Sequence, residues 1–200
     1  MTAPDCFLGV DGGGTKTRFA LIDGEGRVLA QAQHGTTYHP QVGFEAVGEI
    51  LAAGVRQVLQ EAGLPGAAIR HAFFGLPAYG EDRHATSLLQ AIPRAVLGHD
   101  RYACDNDMVC GWAGSLACSD GINIIAGTGS MGYGQRQGIA ARAGGWGEAF
   151  SDEGSAYWIA AQGLNAYSRM SDGRLPRGAL HAVFNEELAL EQDLDICALV

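Results

Sequence analysis

Long apolar runs are missing from this sequence of 200 residues, and none approaches the ~20 residues of a membrane-spanning helix. The first residues also lack the basic and then apolar pattern of a secretory signal. From these two absences we expect a cytoplasmic protein that does not bind membranes.

Basic residues are also scarce. The chain has 13 Lys and Arg against 22 Asp and Glu, which gives a formal net charge of −9. Nucleic acids and anionic membranes are bound through clustered Lys and Arg side chains, so this balance argues against a general surface that binds nucleic acid or anionic membrane. A bound phosphate would have to be held locally, by loops, a few cations and a metal ion.

Metal-binding patterns of cysteine and histidine are absent too. The five cysteines form no C-x-x-C, and the six histidines form no H-x-H or H-E-x-x-H. We therefore expect no metal site held by these side chains, and an odd number of cysteines suits a reducing compartment. Three of them, Cys104, Cys110 and Cys118, lie in or beside apolar segments and are predicted to be buried.

Glycine, in contrast, is abundant, and three consecutive glycines lie between two apolar segments that predict strands, residues 6–10 and 19–22. The turn between them reads Asp11, Gly12, Gly13, Gly14, Thr15 and Lys16. Without Cβ atoms, its backbone N–H groups could come close to an anion, and Thr15, Lys16 and the following Thr17 would add donors and positive charge. We predict an antiparallel hairpin whose tip holds phosphate. A hairpin turn without a ligand is the alternative.

Two commoner glycine-rich phosphate motifs do not fit this turn. Counted from Gly9, the Walker spacing places Thr15 where that motif requires lysine. The dinucleotide fingerprint requires a third glycine where Thr17 stands, and a helix where a strand is predicted. The turn therefore belongs to neither class.

The succession of apolar patterns predicts a ribonuclease H-like α/β domain, with a mixed sheet and helices on both faces. The first thirty or so residues form a meander of three strands, followed by a loop over 34–43 and a helix from Phe44 to a stop at Gly63. Strands are then predicted at 69–75 and 102–104, and helices at 83–91 and 108–117. We assign residues 1–120 to this domain.

A second glycine turn follows the next predicted strand, 122–126, and reads Gly127, Thr128, Gly129 and Ser130. Because each glycine turn follows an apolar strand, we expect both at one edge of the same sheet, where they would hold a phosphate chain from two sides. A strand pair and helices at 153–170 and 179–190 come after it. We interpret residues 121–200 as the start of a second ribonuclease H-like domain that is incomplete.

Four further residues are candidates for chemistry or binding. Asp107 lies between a predicted strand and helix, where it could accept the proton of a hydroxyl that attacks a phosphate, or act as the helix N-cap. Asp11 is either a turn residue or an outer ligand of a hydrated Mg²⁺ ion. Asp152 either caps the next helix or contacts a ligand. Trp146 either anchors its loop to the core, which we favour, or forms a wall of the pocket.

These motifs, in this order, resemble the signature of the BadF/BadG/BcrA/BcrD-type ATPase family, in its N-acetylglucosamine kinase-like branch. The resemblance covers residues 6 to about 160 and rests on both glycine turns, on Asn106-Asp107, and on the segments 144–147 and 151–155. It implies the fold of actin, Hsp70 and sugar kinases, in which two domains close on ATP and Mg²⁺.

The resemblance also implies roles for individual residues. Thr15 and Thr128 would contact the phosphates, and Asp107 would be the general base toward the 6-hydroxyl of the sugar. Asp152 would contact the sugar, and Gly145 would lie beside the sugar pocket. The implied protein is an ATP-dependent kinase of N-acetylglucosamine with a small sugar as its partner, and a homodimer is compatible with this reading.

The chain departs from the family pattern at the sugar and in its length. Tyr38, followed by His39, stands near the place of a sugar-contacting asparagine, and Met131 replaces a second such asparagine. Recognition of the substituent on C2 is therefore open, and glucosamine or a related hexosamine is the alternative substrate. Family members also use a full second domain to hold adenosine, so we expect weak or absent turnover from residues 1–200 alone.

Two other functions are kept as hypotheses. Other branches of the family are ATPases that activate radical dehydratases, but they hold an iron–sulfur cluster through cysteines, and residues 147–159 contain none. A sugar- or nucleotide-sensing protein without turnover would use the same fold. An aspartate at position 107 beside two phosphate turns favours the kinase, because a sensor needs no base.

Overall fold

The computed structural model of the protein describes residues 5–199. It contains two compact units, which divide between Ser119 and Asp120. Each unit has its own sheet, with five strands in the first and three in the second. None of the helices within residues 5–199 is both long and apolar enough to cross a bilayer.

The sheet of the first unit mixes antiparallel and parallel strands. Its strands are β1 (Cys6–Gly12), β2 (Lys16–Asp23), β3 (Val28–Gly35), β4 (Ile69–Leu76) and β5 (Tyr102–Asn106). They lie in the order β3-β2-β1-β4-β5. The first three form an antiparallel meander, whereas β4 and β5 run parallel to β1. The predicted α/β fold with a mixed sheet is confirmed.

Three α-helices cover this sheet, and they are α1 (His39–Ala62), α2 (Arg83–Leu97) and α3 (Asp107–Leu116). A single 3-10 turn, Gly66–Ala68, precedes β4. α1 and α2 build the hydrophobic core with the sheet face that carries Leu8, Val10 and Phe74. α3 lies on the opposite face, where Gly75 of β4 meets Cys110 of the helix. Helices on both faces are therefore confirmed as well.

The start of α1 differs from the prediction. The sequence predicts a loop over 34–43, but β3 continues to Gly35 and α1 begins at His39. Pro40 lies in the first turn, where a residue without an N–H group costs no helical hydrogen bond. Gly43 then interrupts the helix with φ 82° and ψ 161°, a conformation that glycine adopts most easily. The predicted end is confirmed, because Gly63 forms a left-handed C-cap.

The second unit begins with an antiparallel sheet of three strands in chain order, β6 (Gly121–Ala126), β7 (Ser130–Arg136) and β8 (Ile139–Gly144). The second glycine turn joins β6 to β7 and so belongs to this sheet. The expectation that both glycine turns leave one sheet is therefore wrong. The physical reason is that β6 pairs with β7 through its own hairpin and starts a new sheet, instead of joining the parallel strands of the first.

Two helices and a final turn complete the second unit, namely α4 (Ala156–Ser171), α5 (Ala179–Glu187) and a 3-10 helix (Asp193–Ala198). Tyr167 of α4 is buried, its hydroxyl donates to Asn185 Oδ1 at 2.6 Å, and its ring stacks on His181. His181 Nε2 in turn lies 3.1 Å from Asp193 Oδ2. These contacts hold the helices and the final turn together.

β5 extends to Asn106 instead of 104, and α3 spans Asp107–Leu116 instead of 108–117. Three further helix ends also differ from the prediction. α2 runs to Leu97 instead of 91, because Pro93 removes one N–H group without stopping the helix. α4 begins at Ala156 instead of 153, because Ser155 is its cap, and α5 ends at Glu187 instead of 190. All three differences concern positions where local sequence leaves the boundary open.

The core of the first unit depends on a close approach of α1 to β2. Val47, Leu51, Val55 and Val58 recur at helical spacing and are buried, and each such side chain contributes about 1.5–3 kcal/mol on burial. Gly54 lies in the same buried stripe, and a Cβ there would overlap the ring of Phe19 in β2. The helix can therefore approach the sheet only because position 54 has no side chain.

We predict that Gly54→Ala lowers the free energy of unfolding by about 1–3 kcal/mol, because the added methyl group overpacks a filled core. Gly48→Ala on the same helix is the matched control, since its Cβ would meet Ile92 Cγ2 at an ordinary 3.7 Å. That control should be neutral or up to ~1 kcal/mol more stable, because alanine favours helix. Urea unfolding measures both, and equal losses would contradict the role given to space at Gly54.

Candidate active site

The first glycine turn forms the tip of the β1–β2 hairpin. β1 ends at Gly12 and β2 begins at Lys16, and the Gly13 N–H donates to the Lys16 carbonyl at 2.9 Å. Gly14, Thr15 and Lys16 are exposed. The predicted hairpin is confirmed, and its exposed tip offers backbone, hydroxyl and ammonium donors to an anion.

Buried threonines brace this hairpin from the loop after β3. Thr17 Oγ1 donates to Thr37 Oγ1 at 3.1 Å, and Thr36 Oγ1 donates to the Gly13 carbonyl at 2.7 Å. A Cβ on Gly12 would overlap Thr37 Oγ1 and stand 2.9 Å from the Gly75 carbonyl. Sequence reasoning missed the bracing role of Thr36 and Thr37. The prediction that Thr17 adds a donor for the anion is also wrong, because its buried hydroxyl donates to Thr37. The signal was the alternation of β2, which places Thr17 on the same inward face as Phe19.

Tyr38 and His39 follow directly on the bracing loop. The Tyr38 N–H donates to Thr36 Oγ1 at 3.0 Å, and the Tyr38 side chain is partly exposed. The His39 ring stacks on Phe44 with ring centroids 4.9 Å apart. Its Nδ1 is buried and has no hydrogen-bond partner among residues 5–199. Both residues predicted to contact the sugar thus lie at the start of α1, directly after the loop that supports the hairpin.

Asp107 begins α3 at the end of β5. The N-cap is Asn106, whose Oδ1 accepts from the Met108 N–H at 3.2 Å while its Nδ2 donates to the Tyr79 carbonyl at 3.0 Å. The alternative that Asp107 is the cap is therefore wrong. The Asp107 carboxylate lies at the edge of the sheet where the parallel strands end, and it interacts with the backbone N–H groups of Asp107 and Met108.

Burial, and to a lesser extent the negative charge of Asp11, together raise the pKa of Asp107 to about 6. The pKa of Asp11 is raised as well, because burial outweighs the opposing effect of Arg18. The two acids therefore lie in one electrostatic neighbourhood. A carboxyl group that changes charge near neutral pH is suited to general base catalysis.

Two cysteine thiols of this unit, those of Cys104 and Cys110, resist ionisation. Burial raises the pKa of the Cys104 and Cys110 thiols to about 12, and Asp11 and Asp107 add to the effect on Cys110. Cys118 is exposed, so the prediction that it is buried is wrong. α3 ends at Leu116, where Ala117 and Cys118 leave the helical conformation with positive φ angles.

The second glycine turn is fixed to the segment before α4. The Ala156 N–H donates to the Gly127 carbonyl at 2.8 Å, and Ser130 Oγ donates to the Glu153 carbonyl at 2.8 Å. A Cβ on Gly129 would lie 2.7 Å from Asp152 Oδ2. The predicted phosphate turn and the predicted sugar segment therefore form one local assembly in the second unit.

Asp152 does not cap α4. Ser155 does so, with its Oγ accepting from the Trp158 N–H at 3.1 Å, and the capping alternative for Asp152 is wrong. Asp152 is 7% exposed, has a φ of 59°, and its Oδ1 is buried without a hydrogen-bond partner among residues 5–199. A buried acceptor without a donor is costly and is expected to meet one from a ligand or water.

Met131 and Gly145 come together at the end of the β7–β8 pair. Met131 pairs with Gly144, and a Cβ on Gly145 would overlap the Met131 side chain. Trp146 is 73% exposed, so the favoured interpretation that it anchors its loop to the core is wrong. The positive φ angles of Gly145 and Gly147 turn the chain on either side of it.

The donor set suits a hydrated Mg²⁺ ion better than a closed metal site. Within residues 5–199, no group of three or more His, Cys, Asp or Glu side chains is placed to hold a metal. Mg²⁺ keeps several waters and is bound through one or two carboxylates. Asp11 keeps an exposed surface at the end of β1, although its carboxyl group is partly desolvated. Asp11 therefore fits the role of an outer ligand.

The chain is similar to known proteins over nearly its whole length. A model of the BadF/BadG/BcrA/BcrD ATPase family matches residues 8–198. An N-acetyl-D-glucosamine kinase of Dictyostelium discoideum is 28% identical over 201 residues, covering 96% of this chain and 63% of the relative. An N-acetylmuramic acid/N-acetylglucosamine kinase of Clostridium acetobutylicum is 28% identical over 191 residues, covering 94% and 62%.

A solved structure shows the same fold. A Chromobacterium violaceum protein, provisionally assigned as an N-acetylglucosamine kinase, matches with a TM-score of 0.72 at 29% identity, covering 92% of this chain and 64% of that one. The chain thus spans less than two thirds of the length of the curated relatives it matches.

We predict that Gly12→Ala lowers the free energy of unfolding by about 1–3 kcal/mol, because a methyl group cannot share the space of Thr37 Oγ1 and the Gly75 carbonyl. Gly14→Ala on the same hairpin is the control. A Cβ there would meet nothing within 4 Å, so the change should stay within about 0.5 kcal/mol. Thermal or urea unfolding compares the two. A stable Gly12→Ala variant would contradict the bracing of the hairpin.

Asp107 should make the protein less stable as the pH rises. Its folded-state pKa of about 6 lies above the ordinary value of 3.8, so between these pH values the folded state holds a proton that the unfolded chain has released. The free energy of unfolding of Asp107→Asn should therefore exceed that of the wild type by about 1–3 kcal/mol at neutral pH.

The pH series of urea unfolding tests this sign. The advantage of the variant should grow from about pH 4 to about pH 6 and then stay constant. An advantage that does not change with pH would show that Asp107 titrates as an ordinary carboxyl group.

Proposed function

The chain belongs to the BadF/BadG/BcrA/BcrD ATPase family, and on that premise we propose that it carries the catalytic residues of an ATP-dependent amino-sugar kinase. The γ-phosphoryl group of ATP would pass to the 6-hydroxyl of N-acetylglucosamine or a related hexosamine. Both curated relatives are named as kinases of N-acetylglucosamine, which supports the substrate class.

The observation that carries the proposal is the environment of Asp107. Its carboxylate follows a parallel strand, is not the helix cap, and has a pKa raised to about 6 by burial and Asp11. Asp107 would accept the proton of the sugar hydroxyl as that oxygen attacks the γ-phosphorus in line with the leaving ADP oxygen. Such a base would be mostly ionised at neutral pH and still basic enough to help the attack.

The phosphates would be held by the hairpin tip of the first unit. Gly14 and Thr15 would supply backbone N–H groups and a hydroxyl, and Lys16 would supply charge. Gly13, whose N–H donates to the Lys16 carbonyl, would shape the turn. Bound Mg²⁺ would neutralise phosphate charge, with Asp11 orienting its water ligands. We propose that the second glycine turn also binds phosphate, because it is likewise rich in small residues. Its residues are Gly127, Thr128, Gly129 and Ser130.

Two groups of residues are proposed as sugar contacts, one in each unit. Tyr38 and His39 follow the bracing loop, whereas Asp152 offers a buried oxygen that suits a sugar hydroxyl or amide N–H. Gly145, with Trp146 after it, and Met131 complete the proposed set. The thioether of Met131 cannot make the hydrogen bonds of the asparagine amide that it replaces in the family pattern. Glucosamine therefore remains the alternative substrate.

Coupled ADP release by the complete gene product tests the proposal. With ATP, Mg²⁺ and a panel of N-acetylglucosamine, glucosamine and other hexoses, we expect turnover with at least one amino sugar. Asp107→Asn should lower kcat at least ~100-fold with little change in the KM of the sugar, because it removes only the base. Asp100→Asn, an exposed carboxylate paired with Arg94, is the control and should keep full activity.

The ADP assay tests the kinase activity, and the Asp107→Asn variant tests the identity of the general base. Release of no ADP with any sugar would contradict the kinase proposal and leave sugar or nucleotide sensing as the function. An Asp107→Asn variant as fast as the wild type would show that another group takes the proton.

A further inference from the structure

Three residues stand side by side where the parallel strands of the first unit end. Asp11 in β1 pairs with Gly75 in β4, and Gly75 pairs with Asp105 in β5. Residues paired in register point to the same face of a sheet, and here that is the face covered by α3. Gly75 is thus a position without a side chain between two carboxylates.

The first turn of α3 fills the space that a side chain at position 75 would take. A Cβ on Gly75 would overlap Cys110 Sγ, and it would stand 3.2 Å from Asp107 Cα and 3.4 Å from the Val10 carbonyl oxygen. The φ of Gly75 lies outside the left-handed region, so any residue could adopt its backbone. Glycine is therefore required at position 75 for space and not for conformation.

Cys110 connects the helix to the strand that carries Asp11. It lies three residues after Asp107 and so shares its face of α3. Its thiol donates to the Val10 carbonyl at 3.5 Å, one residue before Asp11. Moving Cys110 away from the sheet would carry the start of the helix, and with it Asp107, away from β1.

We propose that Gly75 and Cys110 are positioning residues, which set the distance between Asp107 and the hairpin edge by letting the first turn of α3 lie directly on β4. The packing part of this inference stands on the first unit alone. Only its consequence for turnover rests on the proposed kinase function.

A double-mutant cycle tests the packing without any assay of activity. Gly75→Ala should lower the folding equilibrium constant roughly tenfold or more, because the methyl group collides with the thiol. Cys110→Ala removes the colliding atom, so the double variant should be more stable than Gly75→Ala although it carries one substitution more. Gly9→Ala is the control, because a Cβ there would meet nothing within 4 Å.

Amide hydrogen exchange locates the effect. In Gly75→Ala the amides of α3 should exchange faster while those of α1 keep their wild-type rates, and the double variant should restore α3. A Gly75→Ala variant with unchanged stability and unchanged exchange in α3 would overturn the proposal. So would a double variant no better than Gly75→Ala. If Gly75→Ala does not fold, recovery of folding in the double variant is the required result.

Steady-state kinetics of the complete gene product then separates positioning from general damage. Gly75→Ala should lower kcat about tenfold to a hundredfold, because a small displacement of a base is costly, with the KM values for ATP and sugar nearly unchanged. The double variant should recover most of kcat. If the protein shows no turnover while its variants show the predicted changes in stability and amide exchange, the kinase proposal is refuted but the packing role of Gly75 and Cys110 is supported. Full kcat in a Gly75→Ala variant whose α3 is displaced would refute the positioning role.

Discussion

The register of the parallel strands β1, β4 and β5 decides where the candidate site of the first unit lies. It brings Asp11, Gly75 and Asp105 into one row, and the hairpin after β1 and the helix start after β5 meet at the same edge. A shift of one residue in any of these pairings would turn a carboxylate to the other face of the sheet. The core between the sheet and α1 and α2 holds this register.

The electrostatics of Asp107 oppose the stability of the fold. A carboxylate in a structural ion pair has a lowered pKa, but the influences that raise the pKa of Asp107 are burial, Asp11 and Glu81, and none of these is a cation. The folded protein therefore carries two neighbouring acids that favour its unfolding at neutral pH. Arrangements of this kind are found where chemistry requires them, with stability supplied by packing elsewhere.

Both glycine turns are braced in the same way, although they belong to different sheets. The side-chain space of Gly12 is taken by Thr37 Oγ1, and that of Gly129 is approached by Asp152 Oδ2. In each unit a polar oxygen from a later segment lies against a glycine of the turn. A turn of this kind is held in place without covering its exposed backbone, which is what an anion-binding tip needs.

The order of strands and helices was readable from the sequence, because the alternation in β2 and the glycine stop at Gly63 are properties of a single segment. The same holds for Asp11 and Asp107, since their places follow from the ends of strands and from motifs of consecutive residues. Tertiary structure alone decided that Asn106 and not Asp107 caps α3, that Thr37 fills the space beside Gly12, and that the second glycine turn starts a new sheet. The physical reason is that these outcomes depend on strand pairing and on contacts between distant segments, and no pattern within one segment encodes its partner.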